Sequence, residues 1–140
     1  MKANDLMIGD WVFCNGECTV VDITHKETFD IVGLDYTGEY DIFYVKDIKP
    51  IPLTQEILES NGFELTEKDD IFRCQDGKIV IEVGIYHPDF INIGFEQTTP
   101  DGTNKGEISS ICKIDGSDIF VHELQHALRL CGIEKEIVLR

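Results

Sequence analysis

The 140 residues suffice for one domain or at most two very small ones, and 42% apolar with 28% charged residues is the composition of a folded chain rather than a disordered one. Twelve Lys and Arg stand against 27 Asp and Glu, a net charge of −15, with ten acids to four bases in residues 1–52 and seventeen to eight in the rest. Nucleic acid and anionic membranes are gripped through clustered Lys and Arg, so neither is an expected partner; a basic protein, a cation or mimicry of a polyanion stays open. No run approaches the roughly 18 apolar residues of a membrane helix. The first twenty residues hold no unbroken hydrophobic segment, so no signal peptide is expected and the cytoplasm is.

Five cysteines (Cys14, Cys18, Cys74, Cys112 and Cys131) make an odd number, and reduced thiols are the expectation in a cytoplasmic chain. Cys14 and Cys18 bracket a turn as C-x3-C. A zinc ribbon would need a second Cys or Cys/His pair at suitable distance, so both read as small apolar residues flanking a hairpin.

The first fifty residues read as short strands. Trp11–Cys14 and Cys18–Thr24 flank Asn15-Gly16, a strong hairpin signal because both residues tolerate positive φ. Phe29–Asp35 and Tyr40–Val45 follow around Thr37-Gly38. Strands this short and evenly spaced predict a small barrel. The run Ile8-Gly9-Asp10-Trp11-Val12, a tight turn, then Cys18-Thr19-Val20-Val21-Asp22-Ile23 resembles the opening hairpin of SH3-like barrels. That resemblance implies fold alone; many such barrels bind nucleic acid, which the acidic charge here argues against.

Pro50 and Pro52 are expected to end the sheet. A helix then starts at the N-cap Thr54, with Leu53 and Leu58 as a hydrophobic staple. It stops at Asn61-Gly62, with Phe63 folding back onto Leu58. Ile71–Cys74, Lys78–Tyr86, Phe90–Gln97 and Glu107–Ile114 alternate as an antiparallel meander. Its turns fall at Asp76-Gly77, His87-Pro88-Asp89 and Thr98–Gly106, and Ile79, Ile81, Val83 and Ile85 share one face against Glu82 and Gly84. Asp118 is placed to cap a second helix running to Cys131 and stopped by Gly132, and Glu134–Leu139 reads as a closing strand. The fold class expected is α+β, mostly β. An SH3-like barrel subdomain (1–52) joins an α+β subdomain (53–140) through a connection too short to be a flexible linker, giving one compact unit.

One motif carries chemistry. His122-Glu123-Leu124-Gln125-His126 matches H-E-x-x-H, in which two imidazoles one helical turn apart grip zinc and the glutamate polarises its water. His122 and His126 are the candidate metal ligands and Glu123 the candidate catalytic base. Val121, Leu124, Leu128 and Cys131 would face the core, leaving His122, His126 and Arg129 on the other face. The longer zincin signature fails, since Arg129 and Gly132 stand where its Gly and third His belong. Glu134, Glu136, His25 and His87 could supply a third ligand only through tertiary folding, and Arg129 one turn away would repel the metal. The plainer reading is a solvated helix face whose histidines titrate near neutrality.

The remaining signals are thinner. Asp69-Asp70 and Asp115–Asp118 lack a calcium-loop pattern. Cys131 lies on the face expected to be buried and has no base nearby in sequence. There is no P-loop, dinucleotide fingerprint or G-x-S-x-G.

The ending Phe120–Gln125, the opening Met1–Val12 and the segment Ile48–Phe63 are similar to a family of short proteins of gut Bacteroidales and their phages and mobile elements. This resemblance implies origin and fold but no activity. It also implies that the second histidine of the motif is dispensable. The function expected is therefore a non-enzymatic binding or accessory protein of phage or mobile-element origin with a protein partner. The alternatives are a minimal zinc hydrolase and an acidic decoy for a basic nucleic-acid-binding protein.

Overall fold

The computed structural model describes every residue except 3–4, 26–29, 37, 67–69, 87, 98–106, 117 and 140. Thr37 and His87 of two expected turns, the loop 98–106, Asp69 and Ser117 lie outside the described residues. The protein is α+β and mostly β, with two antiparallel five-stranded sheets and two helices among the described residues. The chain divides into two compact units, Met1–Pro52 with Phe120–His126, and Leu53–Ile119 with Ala127–Val138. Among the described residues no helix is long and apolar enough to cross a membrane.

The first unit contains β1 (Trp11–Phe13), β2 (Glu17–His25), β3 (Asp30–Asp35), β4 (Tyr40–Tyr44), a 3-10 turn at Val45–Asp47, and β5 (Lys49–Pro50). Their order is β4-β3-β2-β1-β5, a meander whose last strand returns beside the first. Asn15 (φ 57°) and Gly16 (φ 150°) turn β1 into β2. A bulge between Val20 and Asp22 lets Val20 stay in the core while Val21 faces out. Val12, Cys18, Val20, Val32 and Leu34 form a fully buried centre. The Cys18 thiol donates to the Val12 carbonyl, and the Tyr36 hydroxyl donates to that of Cys14, so both cysteines belong to this core. Burial, with the nearby thiols, pushes the Tyr36 phenol above its ordinary pKa.

The first sheet ends at Pro50 as expected, but Pro50 is itself the last paired residue. Pro50 lies opposite Val12 in β5, and Pro52 forms an isolated bridge with Phe120. A residue without an N–H is tolerated in a two-residue edge strand, where one side of the backbone needs no partner.

In the second unit, α1 (Gln55–Ser60) is built from the signals that announce it. Thr54 Oγ1 accepts from Ile57 N–H, and Leu53 and Leu58 are buried together with Phe63. Gly62 takes φ +86°, which lets Phe63 N–H reach the Leu58 carbonyl. The sheet runs β10-β9-β8-β7-β6, from β6 (Glu64–Thr66), β7 (Ile71–Asp76), β8 (Ile79–Gly84), β9 (Asp89–Gln97) and β10 (Glu107–Gly116). Ile81, Val83, Ile91, Ile93 and Phe72 are buried on its core face. Gly84, on the other face, lies beneath the Phe90 ring. The strand β6 is an addition to the expected meander.

Two corrections concern the C-terminal part. The second helix, α2, spans Val121–Leu130, and Asp118 is not its cap. The Phe120 carbonyl accepts the first helical bonds, and Glu123 reaches back to the Phe120 N–H. Glu134–Leu139 forms no strand either. The Asn61 side chain holds both backbone groups of Val138, at 2.9 and 2.8 Å, so a side-chain amide does what a neighbouring strand would do.

Candidate functional site

The first six residues of α2 belong to the first unit and carry the whole H-E-x-x-H motif. The chain enters this helix clipped to the strand before α1, with Val121 N–H donating to the Ile51 carbonyl at 2.9 Å. Val121 and Leu124 are fully buried, as their spacing requires.

The polar face differs from the expectation. His122 is 7% exposed and Gln125 is equally buried, while Arg129 is exposed. The solvated histidine face is thus corrected: the loop Gly9–Trp11 is hydrogen-bonded onto this side of the helix. Gln125 accepts from Trp11 N–H at 2.9 Å and donates to the Gly9 carbonyl at 3.0 Å, a two-point clamp on the turn that leads into β1. His126 Nε2 lies 2.7 Å from Asp10 Oδ2, whose side chain is completely buried and also accepts from Met7 N–H. The i, i+4 spacing does bring the two imidazoles together, with ring centroids 5.5 Å apart, edge against face.

Glu123 is occupied as well, one carboxylate oxygen accepting from the Phe120 N–H at 3.3 Å. This is half of a capping box, and it places the negative charge at the positive end of the helix. His122 stacks on Phe120, with centroids 6.0 Å apart and planes 10° off parallel. Its Nδ1 is sealed from solvent and has no hydrogen-bond partner among the described residues. Burial holds its pKa below the ordinary histidine value, assisted by His126 and opposed by the carboxylates of Asp10, Glu123 and Asp5. The ring is accordingly neutral at pH 7. A cavity of about 520 Å³ adjoins the cluster, lined by Asp5, Pro50, Phe120, His122, Glu123 and His126 among others.

These residues do not fit a zinc hydrolase. A bound zinc would have to take Nε2 of His126 away from a buried carboxylate, and Glu123 would have to leave the helix end that it caps. Among the described residues no group of three His, Cys, Asp or Glu could hold a metal ion. Of the third-ligand candidates, His25 pairs with Asp30 at 3.0 Å on the surface, Glu134 and Glu136 are in the tail of the second unit, and His87 lies outside the described residues. Cys131 lies beside Cys112, and burial, then that neighbour, raises its pKa away from reactivity.

Sequence reasoning missed Asp10 and Gln125. The signal for Gln125 was present, since it directly follows the core position Leu124 on an amphipathic helix. Asp10 was read only as part of a strand start, although Gly9 beside it (φ +93°) makes the turn that aims its carboxylate at the helix. A second surface was also missed. Tyr40, Ile42 and Tyr44 alternate along β4 and are 57%, 57% and 48% exposed. The pattern Tyr-Asp-Ile-Phe-Tyr announces such a face, with Phe43 turned to the core instead.

No protein-family model matches the chain, and neither the curated proteins nor the solved structures contain a significant match.

Proposed function

We propose that the protein is a non-enzymatic binding protein whose partner is a basic protein. The observation that carries this reading is the exposed Tyr40–Ile42–Tyr44 face on the terminal strand of the first sheet. Asp30, Asp35, Glu39, Asp41 and Asp47 accompany it in the same stretch of chain, and Lys46 is the one base there. Aromatic side chains carried by a strand in an acidic stretch of chain suit a partner of the opposite sign. That a cation suits these rings is visible locally, since Lys46 Nζ sits 5.5 Å from the centre of the Tyr44 ring. The reading merges an accessory protein with an acidic decoy. The phage or mobile-element origin implied by the resemblance is part of the proposal and adds no partner to it.

The zinc-hydrolase alternative is disfavoured because Glu123, Gln125 and His126 each serve a structural bond. The test uses the full chain immobilised against a lysine-rich histone at low and high salt. Binding that weakens steeply with salt is expected. It should be lost in a Tyr40→Glu, Ile42→Glu, Tyr44→Glu variant and kept in Glu123→Gln. Ester or peptide turnover that depends on Glu123, together with stoichiometric zinc that disappears in His126→Ala, would reverse the choice.

A further inference from the structure

The outer edge of β4 contains more than exposed side chains. β4 ends the first sheet, and its five residues pair with β3 without a bulge or a proline. Natural edges are normally guarded by such features, because unpaired backbone groups invite another strand. Here the guard is chemical. Tyr36 N–H donates to the Glu39 carbonyl, so with the register Leu34 opposite Asp41 and Gly33 opposite Ile42 the alternation makes Gly33–Ile42 a non-hydrogen-bonded pair, and the Ile42 N–H donates instead to the carboxylate of the preceding Asp41 at 2.8 Å. The antiparallel alternation therefore turns the backbone of Ile42 toward the open edge, with Asp41's carboxylate folded across it.

From this we infer that β4 receives a basic, extended segment of the partner protein as an added antiparallel strand. A Lys or Arg of the segment draws the Asp41 carboxylate away, and the freed Ile42 N–H takes a backbone carbonyl of the incoming strand. The segment's alternate side chains lie along Tyr40, Ile42 and Tyr44. An acidic or neutral segment has nothing with which to move Asp41. A second copy of this chain is excluded on charge, since its own β4 carries Asp41 and two bodies of net charge −15 would meet. This inference rests on the binding reading above and adds to it the class of segment and the mode of its capture.

The test follows backbone amide resonances of the full chain during titration with synthetic ten-residue peptides. One alternates Lys with Val. A second has the same number of Lys alternating with Gly and resists extension. A third alternates Glu with Val. The Lys–Val peptide is expected to shift the Ile42 amide and slow its hydrogen exchange at least tenfold, and the other two to leave it unchanged. Asp41→Asn is expected to reduce the preference for Lys–Val over a Gln–Val peptide at least fivefold. Ile42→Pro, which removes an N–H outside the ladder, is expected to abolish binding while the remaining resonances keep their folded dispersion. Should Ile42→Pro disturb the fold, Asp41→Asn alone decides. Equal binding of the Lys–Gly peptide with Ile42 unprotected overturns strand capture but leaves the binding reading intact. Failure of every peptide also overturns strand capture, and the histone experiment then decides separately whether the binding reading falls.

Discussion

Replacing Gln125 by alanine tests how firmly α2 is tied to the loop Gly9–Trp11. The side chain makes two bonds to backbone groups, at 2.9 and 3.0 Å, and is 7% exposed. Each of the two bonds contributes about 1 kcal/mol net. The lost methylene adds about 0.8 kcal/mol. The expected destabilisation is about 3 kcal/mol, a large part of the roughly 5–15 kcal/mol that holds a domain together. With a urea slope of about 2 kcal/mol/M this moves the unfolding midpoint by about 1.5 M. The assay is urea unfolding followed by fluorescence of Trp11, the single tryptophan, which sits at the clamped position. Gln125→Glu gives a sharper control. Its carboxylate can still accept from Trp11 but cannot donate to Gly9 and stands beside Asp10, so the variant should be weak at pH 7 and partly recover in acid. A loss under about 0.5 kcal/mol for Gln125→Ala would refute the clamp.

Further consequences concern pH, the tail and the second sheet. Burial depresses the His122 pKa, so as pH falls below the ordinary histidine value the unfolded chain takes up a proton that the folded chain refuses. Stability therefore falls with pH from about 6.5 downward by at most about 1.4 kcal/mol per pH unit, and is independent of this group at higher pH. His122→Phe should raise stability and flatten that slope in melts between pH 4.5 and 7.5; unchanged slopes would defeat the assignment. Asn61→Ala removes both bonds to Val138, and the tail should then show faster hydrogen exchange at Val138 and earlier proteolysis. Gly84→Ala would place a methyl 2.3 Å from the Phe90 ring and should cost about 1–3 kcal/mol in urea unfolding. In Gly33→Ala the clash is with the far end of the exposed Tyr40 side chain, so stability should barely change while the aromatic face shifts.

What could be read from the chain was what neighbouring residues decide among themselves. Thr54, Leu53, Leu58 and Gly62 specify α1 within ten positions, and Asn15-Gly16 fixes the first hairpin through backbone conformations that few other residues adopt. Several differences arose where a distant segment supplied the partner. The sheet does end at Pro50, yet the chain pairs up to and including that residue, because β5 lies at an edge where only β1 is beside it. Glu134–Leu139 alternates like a strand, but the group that satisfies its backbone is an asparagine 77 residues earlier. The polar β6 is too short to announce itself and exists because β7 pairs with it.

The motif in α2 illustrates the same division at the level of chemistry. Spacing alone sets two imidazoles and a carboxylate at the start of one helix, and the structure keeps that arrangement. Whether such a stripe holds a metal or a loop depends on what covers it. Here the cover comes from 116 residues away, where Asp10 meets His126 and Gly9 meets Gln125. Once a buried carboxylate has claimed one imidazole, a metal must compete with that hydrogen bond and strand a buried acceptor if it wins. The carboxylate of Glu123 is similarly committed to the helix end. The motif's residue types are thus those that pin a helix to a loop as readily as those that bind zinc. His122, buried without a partner for Nδ1, is the one polar member whose structural role is not filled by a hydrogen bond at that atom. Its pH response therefore separates the two uses of the pattern: a metal ligand would lose metal on protonation, whereas this ring destabilises the first unit directly, in metal-free buffer and in the presence of a chelator.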